Sequence, residues 1–180
     1  MLLKEKLNTS FFIFHIKDKT IASFSIPVDN ILQFIVTLDD KILYSTTEKN
    51  LKSIDFKEPK EIKTTLIREF DFSITALTAG YEENTLVFAD ETLSLFEYDL
   101  TLKNVKEFVD AIENYPIESL YMSPDSKKII GDSIWDCGTK KQIIKLPSYN
   151  KKLLISPDPE KTKIIIQKSD YEIIVWDSMN

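Results

Sequence analysis

The chain has 180 residues, of which 43% are apolar and 11% aromatic, enough to bury a sizeable core in one domain and too many for a disordered chain. A single cysteine, Cys137, excludes an intrachain disulfide, and Cys137 with the only histidine, His15, completes no usual zinc ligand set. The net charge of −6 disfavours binding to a phosphate backbone, which needs a basic footprint.

A reducing compartment, cytoplasm or nucleus, fits this cysteine usage. The first residues carry no clean apolar core or small-residue cleavage site, and the run 11–16 is far too short to span a bilayer, so no membrane insertion is expected.

In chain order, Phe11-Phe12-Ile13-Phe14-His15-Ile16 is apolar on both faces and rich in aromatic and β-branched residues, which predicts a buried strand, with a second at 20–26. His15 lies inside the first, with no cysteine, serine or carboxylate motif beside it, and is expected to be structural. Pro27 and Asp29-Asn30 then break the chain. The next stretch reads as four strands at 31–37, 41–46, 51–56 and 62–69, joined by polar turns. A further four follow at 74–79, 85–89, 93–98 and 105–109. Val105, Phe108, Val109 and Ile112 also have helical spacing, but the repeat position favours a strand. Strands at 117–122 and 152–155 open the last two stretches, each ending in a proline turn, Ser123-Pro124-Asp125 and Ser156-Pro157-Asp158.

A recurring strand ending organises these segments. Its clear copies are Ile134-Trp135-Asp136 and Val175-Trp176-Asp177, and weaker ones end near Ile16, Phe56 and Tyr98. The marks at 16, 56, 98, 135 and 176 lie 40, 42, 37 and 41 residues apart, the period of four-stranded propeller blades. The five units run approximately 1–29, 30–72, 73–115, 116–149 and 150–180, read as a single domain 1–180.

Two copies of Ser-Pro-Asp followed by Trp-Asp resemble the WD40 family, in which an apolar strand ends in Ser-Pro-Asp and the third strand closes in Trp-Asp. Proline presets the turn, and the Ser and Asp side chains bond nearby backbone amides. The resemblance implies an all-β, WD40-like propeller of about four to five blade units. Trp135, Asp136, Trp176 and Asp177 would be its structural repeat markers, with each tryptophan packed between neighbouring blades. The chain departs from the family in lacking any Gly-His dipeptide, so the hydrogen-bonded set joining such a histidine to the Trp of its repeat is incomplete. Stability is therefore expected to rest on apolar packing between blades rather than on polar networks. With only Gly80, Gly131 and Gly138, the glycine turns are expected to be taken over by Asn, Asp, Ser and Lys. Too few strands are present for a seven-bladed ring, which leaves three forms: an open, shortened propeller, part of a larger one, or one completed by a strand-donating subunit.

No glycine-rich phosphate loop, nucleophile elbow or metal-ligand cluster is present, so neither an enzyme nor a cofactor is expected. The expected function is a non-catalytic scaffold that binds other proteins in a larger intracellular assembly. The alternative is an accessory subunit of an RNA-acting enzyme, because Ala76-Leu77-Thr78 and Leu86-Val87-Phe88-Ala89-Asp90 resemble the WD40 subunit of the tRNA guanine-N7 methyltransferase. Charge is uneven: residues 61–120 carry 4 basic against 13 acidic groups, a balance of −9. Glu82, Glu83, Asp90, Glu91 and Asp99 fall in expected turns there, and are the candidate partner-binding residues for a basic protein or segment. The pairs Lys127-Lys128, Lys140-Lys141 and Lys151-Lys152 read as solvated turn lysines rather than as phosphate contacts.

Overall fold

A computed structural model describes residues 8–15, 20–27, 31–36, 41–55, 63–82, 84–108, 116–123, 125–146, 153–155, 163–167 and 173–177; for 8–27 and 153–177 only the backbone is considered. Among these residues every regular element is a strand, and no helix is long and apolar enough to cross a membrane. The chain divides into two compact units, Met1–Ser73 and Ile74–Asn180.

The first unit holds the hairpin β1 (Asn8–His15) and β2 (Thr20–Pro27), and a four-stranded sheet of β3 (Ile31–Val36), β4 (Lys41–Thr46), β5 (Asn50–Asp55) and β6 (Lys63–Glu69). The second holds two four-stranded sheets and one of three strands. The first of these has β7 (Ile74–Ala79), β8 (Thr85–Asp90), β9 (Leu95–Asp99) and β10 (Val105–Glu107). The next has β11 (Tyr121–Met122), β12 (Lys128–Ile130), β13 (Ser133–Asp136) and β14 (Gln142–Lys145). The last has β15 (Leu153–Ile155), β16 (Lys163–Gln167) and β17 (Ile173–Asp177). All pairings are antiparallel between sequence neighbours.

In the second unit one buried cluster joins two sheets: Ala76, Val87, Ala89 and Leu95 of β7–β9 meet Ile129 and Trp135 of β12 and β13, with Phe108, Ile117, Leu120 and Cys137. Ala76, Ala89 and Leu95 stand opposite one another across three strands. The cluster thus combines small side chains, the two alanines, with the large Trp135 indole, the mixture of sizes that lets facing layers interdigitate. Leu86, Phe88 and Tyr98 point the other way and are buried too, so β8 and β9 are covered on both faces. That explains the unbroken run Leu86-Val87-Phe88-Ala89, because only a strand with one wet face alternates.

The turns of the two sheets repeat each other in their backbone hydrogen bonds. After β9, the Lys103 amide donates to the Asp99 carbonyl (2.8 Å) and the Asp99 amide to Asn104 (3.0 Å); after β13, Lys140 donates to Asp136 (2.8 Å) and Asp136 to Lys141 (2.9 Å). The turns at one end are likewise linked in each sheet, Leu100 N–H to the Asn84 carbonyl and Cys137 N–H to the Lys127 carbonyl, both 2.9 Å.

Left-handed turn positions fall on Lys49, Asn84, Leu93, Lys103, Ser126 and Lys140, with φ between 56° and 73°, and on no glycine among the described residues. Asn, Ser and Lys thus replace glycine as the composition implied, and Leu93 joins them. Gly80 has a different reason to be glycine: a Cβ there would overlap the Thr85 hydroxyl and lie 2.7 Å from the Thr85 Cβ.

Three expectations are corrected. The strand expected at 93–98 starts at Leu95, because Leu93 (φ 73°) belongs to the turn. β8 extends through Asp90, which was expected in that turn. Of 117–122 only Tyr121–Met122 is strand, although Ile117 and Leu120 are buried and join the core. At 105–109, β10 covers Val105–Glu107, and 109–112 lies outside the described residues. His15 ends β1 opposite Thr20, and its side chain is likewise outside them.

Candidate functional site

Strand direction decides which residues of the second unit share a surface. The β7–β8 turn and the β9–β10 turn lie at one end of their sheet, and the β8–β9 turn at the other, about 17 Å away for the six residues of β8. The described acids Glu82, Asp90, Glu91 and Asp99 therefore do not form one patch. Glu82 is exposed at the first end, and Asp99 is half-buried there, its Oδ1 accepting the Thr101 and Leu102 amides (both 2.8 Å). Glu83 lies outside the described residues. At the far end Glu91 is exposed, but Asp90 is 1% exposed. Its Oδ1 accepts the amides of Thr92 (3.0 Å) and Ser94 (2.9 Å), and its Oδ2 the Thr92 hydroxyl (2.7 Å). Asp90 is a turn cap, with its carboxylate turned inward rather than offered to a partner.

The repeat markers behave similarly. Asp136 Oδ1 accepts both the amide (2.7 Å) and the hydroxyl (2.8 Å) of Thr139, and these bonds hold its carboxyl below the usual carboxylate range. In the proline turn, burial would raise Asp125, but hydrogen bonds from the Ser123 hydroxyl (2.6 Å) and the Lys127 amide (3.1 Å) outweigh it and lower the carboxyl. Ser123 Oγ in turn accepts the Lys128 amide (2.9 Å), so the Ser and Asp of this turn bond backbone amides as the motif requires. Trp135 is fully buried in the cluster shared by the two sheets, and its indole N–H has no hydrogen-bond acceptor. β17 places Trp176 opposite Ile164 and Asp177 opposite Lys163; their side chains lie outside the described residues.

One charged link between the sheets was not anticipated. Lys140, read as a solvated turn lysine, sends its ammonium from the β13–β14 turn to Glu97 on β9, Nζ to Oε2 2.7 Å. The side chains are only 16% and 5% exposed. Nζ also lies 4.9 Å from the Phe108 ring centroid and 5.2 Å from that of Tyr81, within cation–π range of both. A carboxylate and two aromatic faces of one sheet thus enclose a cation supplied by the next. A lysine 43 positions from its acid thus adds one polar tie to the apolar cluster between these two sheets. The equivalence of Lys103 and Lys140, both left-handed and one residue before the fourth strand's first bonds, is the signal that marks the position.

The groups around Lys140 are chemically quiet. Burial, with the Glu97 and Glu82 carboxylates, pushes the Tyr81 phenol up to about 12. Burial, then the Asp136 carboxylate, pushes the Cys137 thiol up to about 12, and its Sγ sits 4.0 Å from Met122 Sδ. Both stay protonated at neutral pH, so neither provides a thiolate nucleophile or a phenolate base. Among the described residues no three of His, Cys, Asp and Glu gather into a metal-binding group. What the arrangement does is hold one cation in place and lock two turns. No protein-family model matches the chain, and no curated protein matches it.

Proposed function

We propose that the chain is a WD40-like propeller subunit, open, shortened or part of a larger ring, that serves as a non-catalytic docking scaffold in a cytoplasmic or nuclear assembly. One observation carries this reading: within the repeated four-stranded sheets the central strands β8 and β9 are covered on both faces, while charged residues of the turns at the sheet ends are exposed. Exposed Glu82 and Glu91, within a sector of balance −9, fit a basic protein or segment. The buried Trp135 and the Asp136 turn cap agree with the roles that the WD40 resemblance gives them.

The test is purification of the tagged chain from its native cells under mild conditions, with protein and RNA analysed together. The scaffold reading expects stoichiometric protein partners and no enriched RNA. Recovery of a methyltransferase with small RNA would replace it by the accessory-subunit reading, and a chain that purifies alone would remove both.

A further inference from the structure

The third strands of the repeats differ at one place that carries a charge in a single sheet. β5, β9, β13 and β17 each end in an aspartate, Asp55, Asp99, Asp136 and Asp177. Two residues before it stand Ser53, Glu97, Ile134 and Val175, so among these four strands the acid belongs to β9 alone. Four residues after the first three aspartates stand Pro59, Lys103 and Lys140, the two lysines both left-handed. The lysine place is filled twice, whereas the acid that receives Lys140 occurs once.

The apolar cluster between these sheets is held by burial, which has no preferred direction. Its largest member, Trp135, has an N–H that no acceptor takes, and the Cys137 thiol turns to Met122 of its own sheet. Neither polar group fixes one sheet against the other. Lys140 does, because its Nζ has to meet Glu97 Oε2 at 2.7 Å and lie near the Phe108 and Tyr81 rings at once. Exchanging a buried ion pair for apolar side chains of like volume is often neutral in stability. What such a pair adds and an apolar contact cannot is a single permitted geometry.

We propose that the Lys140–Glu97 pair selects how the β11–β14 sheet stacks on the β7–β10 sheet, in neighbour and in register, while adding little net stability. A stacking slipped along the strands exchanges one apolar contact for another, but it draws the ammonium off the carboxylate and leaves a mostly buried charge without its partner. Stacking on a sheet that presents Ser53 or Val175 at the place of the acid does the same. Glu97 and Lys140 are thus positioning residues, which raise the competing arrangements in energy more than they lower the native one. This goes beyond the docking reading and does not need it, since it concerns how the second unit reaches one arrangement and not what it binds.

The experiment is nitrogen–proton correlation NMR of the full chain, native and with Glu97→Leu and Lys140→Met combined, the Trp135 indole resonance being identified by its loss in Trp135→Phe. The native chain should give one Trp135 resonance. The double variant should keep the native far-ultraviolet circular dichroism but lose near-ultraviolet signal, the mark of strands without unique packing, and its Trp135 resonance should split into several or broaden beyond detection. Lys140→Arg, which keeps the cation, should retain the single resonance. A double variant with one sharp Trp135 resonance and native near-ultraviolet signal overturns the proposal. A double variant that no longer folds overturns it as well, because the pair is then a source of stability and not of selection. So does a Lys140→Arg chain as heterogeneous as the double variant.

Discussion

The Lys140 ammonium is held 2.7 Å from the Glu97 carboxylate between two stacked sheets, so a turn of one repeat is fastened to a strand of the one before it. Removing either partner leaves a mostly buried charge unpaired. Lys140→Ala and Glu97→Ala should each lower stability by about 3–5 kcal/mol, whereas Glu97→Leu with Lys140→Met should come within about 1–2 kcal/mol of the native chain. A double-mutant cycle in urea reads the coupling. Single variants that cost no more than an exposed lysine such as Lys127 would show that the link contributes nothing.

Trp135 is fully buried in the cluster that also holds Ala76 and Ala89, yet its indole N–H is unsatisfied. Trp135→Ala should therefore cost about 3–5 kcal/mol from the cavity it opens. Trp135→Phe should cost much less, because it removes a buried donor that lacks an acceptor as well as some volume. Equal losses for the two substitutions would mean that the N–H has found a partner.

Asp90 and Thr46 occupy equivalent places: Leu93 N–H donates to the Asp90 carbonyl at 3.3 Å, and Lys49 N–H to the Thr46 carbonyl at 3.0 Å, with Leu93 and Lys49 both left-handed. Asp90 caps its turn, but Thr46 Oγ1 is buried without a hydrogen bond, as is Asn50 Oδ1 nearby. Asp90→Ala should destabilise by about 1–3 kcal/mol through orphaned amides. Thr46→Asp, by supplying the missing cap, should raise the melting temperature. A fall on Thr46→Asp would show that the two turns are not equivalent in energy.

Asp125 and Asp136 give the acid side of the stability profile. Their folded carboxyls titrate below the ordinary value of 3.8, so the unfolded chain binds protons first as pH falls. Their contribution is complete above that ordinary value and drains away as pH drops through it toward the depressed folded values. Asp136→Asn should flatten the loss of stability below about pH 4 and leave the neutral plateau shifted by a constant. Chemical denaturation between neutral pH and pH 2 checks this, and an unchanged acid slope would contradict it.

Much of the strand order was legible because turn residues and two-sided apolar runs punctuate the chain clearly. The strands expected at 41–46 and 74–79 are Lys41–Thr46 and Ile74–Ala79. Boundaries slipped where an unusual residue took a backbone role: Leu93 in a left-handed turn reads as the start of a strand, and that misplaced Asp90. The candidate site was less legible. Its acids are adjacent in sequence terms, but antiparallel pairing sends successive turns to opposite ends. Lys140 and Glu97 meet only because two sheets stack, a relation that local pattern does not encode.

The scaffold reading turns on a charged sheet end that meets a partner, and the topology makes this sharp: a compact basic partner engages the end bearing Glu82 or the end bearing Glu91, not both. The decisive measurement is the association rate of the native partner with the native chain, Glu82→Lys and Glu91→Lys, over a range of ionic strength. One reversal should slow association and weaken its salt dependence while the other leaves both unchanged. If neither reversal alters the rate, or both do so equally, the sheet ends are not the docking surface.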